Sequence, residues 1–105
     1  MIIYKTEVFM QVLVIARVVA GTAMEKVLPL VKPEAAKVWE YYAANLVHTI
    51  HYIADHSGAV LLFEAPSVEA VNEAVAKLPM VEAGVLECEV IPLVPYTGLA
   101  ELFAK

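Results

Sequence analysis

The sequence predicts an α+β domain: a four-stranded antiparallel sheet with helices on one face. Three observations carry this expectation. Residues 8–18 alternate like a half-buried strand, residues 33–46 and 66–79 have helical apolar spacing, and an Asp-His-Ser-Gly turn joins two further apolar runs. At 105 residues one domain, spanning 1–105, is expected.

The first strand divides into Met10, Val12, Val14, Ala16 and Val18 on one face and Gln11, Leu13, Ile15 and Arg17 on the other. Gln11, Arg17 and the β-branched content argue for a strand rather than a spanning helix or a secretory leader. Residues 23–30 read as a short helical turn limited by Pro29. Pro33 suits the first position of a new helix and disfavours helix at Lys32. In that helix, residues 33–46, Ala35, Val38, Trp39, Tyr42 and Leu46 form the apolar stripe, with Tyr41 at its flank and Glu34 and Lys37 outside it.

The second strand is expected over 47–54 and the third over 59–64, joined by the turn Asp55-His56-Ser57-Gly58, in which Gly58 is expected to take positive φ. Ser67 is placed to cap the helix that follows, with Val68, Val71, Val75 and Leu78 as its stripe and Pro79 as its stop. Residues 80–84 form a short connection. The fourth strand, 85–93, alternates Leu86, Cys88 and Val90 with Glu87 and Glu89. The order strand, helix, strand, strand, helix, strand is the ferredoxin-like split pattern, βαββαβ.

Composition then constrains function. Apolar residues make up 61% of the chain and charged residues 18%, against roughly 45–50% and 25% in average soluble domains. A domain of this size has little interior to hide the surplus. The surplus points to self-association, as a homodimer or larger, and to an apolar small-molecule ligand. The net charge is −5 with scattered Lys and Arg, so neither nucleic acid nor membrane is an expected partner. Cys88 is the only cysteine, which suits a cytoplasmic setting. No phosphate loop, nucleophile elbow or paired metal motif is present, and no cofactor is expected.

The segment FEAPSVEAVNEAVAKLP, residues 63–79, resembles muconolactone isomerases in its acidic residue, its Pro-Ser-Val-Glu-Ala helix start and its Leu-Pro stop. Ile53, Gly58 and Phe63 also fall on family-like positions. The hairpin YIADHSGAVLLFEA and the tail VPYTGLAELF are similar to those of small muconolactone isomerase-like proteins. The resemblance spans roughly residues 8–103 and is specific over 52–79. It implies a dimeric α/β barrel, two sheets face to face, with a cleft between each sheet and its helices. In the cleft of that family a proton is moved on a small lactone. The fold also serves cofactor-free monooxygenases. The family's Trp-Arg pair and nearby basic residues are replaced here by Val47, His48, His51 and Tyr52, which argues against muconolactone itself as the substrate.

All three histidines lie within residues 48–56, yet His48 and His51 have opposite strand parity and His56 belongs to the turn, so they do not form one metal site. His48 and His51 are candidate proton carriers. Each also reads as a histidine satisfied at a sheet edge. Tyr52 shares a face with His48 at about 13 Å and suits a carbonyl or enolate oxygen. Trp39 and Tyr42 are expected as the opposite wall, against Tyr52, and as substrate-binding residues. Arg17 is a candidate for orienting an anionic oxygen, or for a structural pair with Glu87 or Glu89. Cys88 reads as a small buried apolar residue. The expected function is a cofactor-independent isomerase or cyclase acting on an apolar cyclic metabolite, lactone or quinone-like. A non-catalytic dimer binding such a ligand, and a cofactor-free monooxygenase, are the alternatives.

Overall fold

The computed structural model describes residues 9–105, so Val8, the first residue of the expected opening strand, lies outside the described residues. The alternation of the opening segment produces strand β1, Met10–Val18. Val12, Val14 and Ala16 are buried beneath the helices, while Leu13 and Ile15 are half-buried on the other face. Its neighbours are β3, Gly58–Ala65, and β4, Leu86–Pro92, both antiparallel to it. Strand β2, Val47–Tyr52, pairs with β3 at the edge. The sheet order is β2-β3-β1-β4, so the two central strands are β3 and β1. This is the ferredoxin-like arrangement, and the expected fold class holds.

Helices α1, Met24–Val27, and α2, Val31–Ala43, are joined by a 3-10 turn at Leu28–Leu30. The helix therefore begins two residues before Pro33, and Lys32 is helical, contrary to the sequence expectation. Pro33 is tolerated because a first-turn amide has no partner within its own helix. The helix ends where Asn45 takes a φ of 61°, a left-handed conformation that asparagine accepts readily. Helix α3, Val68–Ala76, is capped by Ser67, whose Oγ accepts from the Ala70 N–H at 3.1 Å. Pro79 stops α3 but opens a one-turn helix α4, Pro79–Glu82, where a plain connection was expected.

The core fills the space between sheet and helices. Val12, Val14, Val47, Phe63, Val71 and Leu78 are almost fully buried. Tyr41 belongs to this core: its ring lies 6.4 Å from Phe63, and its hydroxyl donates to the Ala74 carbonyl at 2.6 Å. The inner face of α2 is thus carried by Tyr41, with Glu34, Lys37 and Val38 half-buried beside it. Trp39 and Tyr42, expected on that stripe, are 65% and 49% exposed. The stripe is rotated because Tyr41 satisfies its hydroxyl against α3 while burying its ring.

Gly58 also departs from expectation. It does not take positive φ; His56 does, at 61°. The turn is held by Asp55 Oδ1, which accepts from the Ser57 N–H at 2.9 Å. Gly58 is required for a different reason. It begins β3 opposite Arg17, and a Cβ there would overlap the Ala16 carbonyl oxygen of β1.

Candidate functional site

A cleft of about 610 Å³ opens between the helix side of the sheet and α2. Its floor comes from alternate residues of all four strands, including Ala16, Ile50, Tyr52, Ala59, Leu61 and Leu86. Its wall is α2, through Val31, Ala35, Val38, Trp39 and Tyr42, and Leu78 and Met80 close one end. The cleft persists because α2 turns Tyr41, not Trp39 or Tyr42, into the core. The two exposed rings stack on one another at 5.9 Å with 26° between planes and form one aromatic side. Tyr52, across from them on β2, packs at 5.7 Å against His56.

The β2 parity explains where the other candidates go. A register irregularity lies between Val47 and Thr49, so that Val47 pairs with Phe63 and Thr49 with Leu62. His48 sits at this bulge. It is not among the residues of the cleft; its Nε2 lies 3.2 Å from Glu64 Oε2, beside a small hollow formed with Tyr42, Asn45 and Val47. The expectation that His48 and Tyr52 line one cleft from a shared face is therefore corrected: an extra residue in a strand breaks its alternation. Beyond the bulge the pairing is regular. Ile50 and Tyr52 share the helix side with Leu61 and Ala59, while His51, opposite Val60, has the parity of the other face and borders the cleft at the sheet edge.

Arg17 takes the structural alternative, the pair with Glu89, and not the anion-orienting role. It lies outside the cleft on the helix-free side of β1, where its guanidinium is 3.3 Å from Glu89 Oε1. Both side chains are more than half exposed, so the pair contributes little to stability. Arg17 cannot orient an anionic group bound between sheet and helices. Cys88 is half-buried on the helix side of β4, and burial pushes its thiol up from the ordinary range, aided by the negative charge of Glu34.

The sequence reading missed two cleft residues. His56 was assigned to the turn; its left-handed conformation brings it against Tyr52. Glu34 was assigned to the outer side of its helix. It lines the cleft, and its Oε1 accepts from the Met80 N–H at 2.9 Å, at the first turn of α4. Burial pushes its carboxyl above the usual range, and the Met80 hydrogen bond offsets part of that rise. A signal for Glu34 existed. Glu34, Val38 and Tyr41 follow the i, i+4, i+7 spacing of one helix face, a stripe that includes a carboxylate and that apolar counting passes over. The arrangement is a broad apolar slot, aromatic on two sides, holding one carboxylate of raised proton affinity and a tyrosine hydroxyl.

No family model matches the chain, and no curated protein sequence matches it. Among solved structures, the crystal structure of a muconolactone isomerase matches with a TM-score of 0.71 and 24% sequence identity, covering 83% of this chain and 91% of that chain. The chain therefore has the fold of muconolactone isomerase.

Proposed function

We propose that this protein is a small isomerase-type enzyme that takes a flat, apolar cyclic metabolite of the lactone class into the cleft and moves a proton on it. The observation that carries the reading is Glu34: a carboxylate in an apolar slot, partly buried and raised in pKa. A carboxylate so tuned is a stronger base than an exposed one and takes a proton from a weak carbon acid more readily. The shared fold with muconolactone isomerase is compatible with isomerase chemistry by analogy.

The proposed step uses this chain's own groups. Glu34 removes the proton α to the lactone carbonyl, and the C–H pair moves into the ring as the carbonyl oxygen gains negative charge. The Tyr52 hydroxyl donates to that oxygen. The proton then returns from Glu34 to the γ carbon, which shifts the double bond and restores the carbonyl. Trp39 and Tyr42 hold the ring face-on, as stacked aromatic side chains do for flat ligands. Neither His48 nor Arg17 enters this step, and His51 at the sheet edge has no assigned part in it.

α-Angelica lactone in D₂O tests the proposal, followed by proton NMR. The protein should accelerate both deuterium entry and migration of the double bond. Glu34→Gln should lower that acceleration by about a hundredfold or more, the scale of a lost general base, because the amide oxygen can still accept from Met80. Tyr52→Phe should lower it less. Wild-type protein that accelerates neither process would contradict the reading and favour the non-catalytic ligand-binding dimer.

A further inference from the structure

The hollow at the β2 bulge lies next to the cleft and is chemically unlike it. It is formed by Tyr42, Asn45, Val47 and His48, and Tyr42 belongs to both spaces. Two irregularities build it. Asn45 stands at φ 61° where α2 ends, and the bulge displaces His48 from the alternation of its strand. Left-handed asparagines and bulges both re-aim side chains, and here the two lie three residues apart and line the same hollow.

The polar groups of the hollow are an imidazole and a carboxamide. Glu64 Oε2 lies 3.2 Å from His48 Nε2, so Nδ1 is the ring nitrogen not engaged by that carboxylate. An imidazole nitrogen accepts a hydrogen bond when it carries no proton and donates one when it does. The Asn45 carboxamide supplies both an N–H donor and a carbonyl acceptor. An acceptor and a donor on one hollow match a group that both donates and accepts, which is a hydroxyl. An anionic group fits worse, because Glu64 is adjacent and no Lys or Arg among the described residues lines the hollow.

Resting on the cleft reading above, we infer that the hollow is a hydroxyl subsite of the same ligand site: the preferred ligand is a flat apolar ring whose edge hydroxyl passes Tyr42 to meet His48 and Asn45. The subsite makes His48 and Asn45 specificity residues and leaves the proton transfer to the cleft.

Trp39 is the only tryptophan of the chain and lines the cleft, so its indole N–H resonance reports occupancy. The full-length protein is titrated with naphthalene and with 2-naphthol at neutral pH, where the phenol keeps its proton, and dissociation constants are read from the shift of that resonance. Wild type should bind 2-naphthol about fivefold more tightly than naphthalene, the worth of a net hydrogen bond or so. His48→Ala and Asn45→Gly should each bring the two ligands to within twofold, leaving naphthalene affinity unchanged; glycine accepts the conformation of Asn45 and removes only its amide. Arg17→Ala should alter neither affinity. If naphthalene binds but 2-naphthol binds no more tightly, or the preference survives both variants, the subsite is overturned while the cleft reading stands. If neither ligand moves the Trp39 resonance, both are overturned.

Discussion

At the scale of single residues, Gly58 and Glu34 show how little room the fold leaves at the floor and wall of the cleft. Gly58 lets β3 approach β1 closely, and any Cβ must push the Ala16 carbonyl aside. Gly58→Val should therefore destabilise the protein by about 1–3 kcal/mol, as overpacked sites do. In a domain of this size each kilocalorie corresponds to a melting shift of roughly 4–8 °C, so a thermal melt reads it directly. A midpoint unchanged within error would mean that the close approach is absent. Glu34 acts through charge. Its folded carboxyl is raised by burial, so the folded state holds the proton more tightly than the unfolded chain. That contribution is fully present below about pH 4.3, the ordinary glutamate value, and is lost as pH rises through the folded value. Relative to Glu34→Gln, the wild type should lose stability on going from acid to neutral pH. Paired denaturant titrations across that range check the sign, and the opposite slope would refute the burial of the carboxyl.

At the scale of elements, helix α2 determines which side chains belong to the core and which to the cleft. Tyr41 anchors it through the Ala74 carbonyl and the Phe63 ring, and Lys37 Nζ sits over the Tyr41 ring at 5.5 Å from its centre. Tyr41→Phe should cost about 1 kcal/mol, the worth of the lost hydrogen bond, since the Ala74 carbonyl still accepts from the Lys77 N–H at 3.2 Å. Trp39→Ala should scarcely change the melt, since that ring is exposed. The reverse ranking in urea unfolding would restore the apolar stripe read from spacing. The strand alternations and the Ser67 cap were legible because each depends on local geometry: two-residue periodicity in β1 and β4, one hydroxyl three residues before Ala70 in α3. The rotation of α2 was not legible to apolar counting, which passes over the Glu34, Val38 and Tyr41 face because it includes a carboxylate. Apolar spacing treats Tyr41 and Tyr42 alike, and only a carbonyl on a distant helix chooses between them. The bulge at His48 was hidden for the same reason: it depends on how β2 meets β3, and shifting one residue reassigns a side chain to another space.

At the scale of the whole molecule, two apolar surfaces lack a cover among the described residues. The helix-free side of the sheet carries Leu13, Ile15, Val60 and Leu62 in adjacent pairs. The C-terminal segment, a 3-10 helix at Gly98–Phe103, exposes Tyr96, Leu99, Leu102 and Phe103. No helix among the described residues is long and apolar enough to cross a membrane. A second copy is the occupant we propose for the sheet face, and light scattering after size exclusion should give a dimer or larger. A monomer persisting at micromolar concentration would contradict it. The cleft lies on the other side of the sheet, so its chemistry is testable whatever the assembly. The most direct test is the protonation of Glu34 itself, followed by carbon-13 NMR of its carboxyl, with the resonance assigned by its loss in Glu34→Gln. The midpoint should lie above about 4.3 and rise further when naphthalene fills the slot and excludes water from it. A midpoint at or below that ordinary value, unmoved by the ligand, would contradict a proton-transfer site in this cleft.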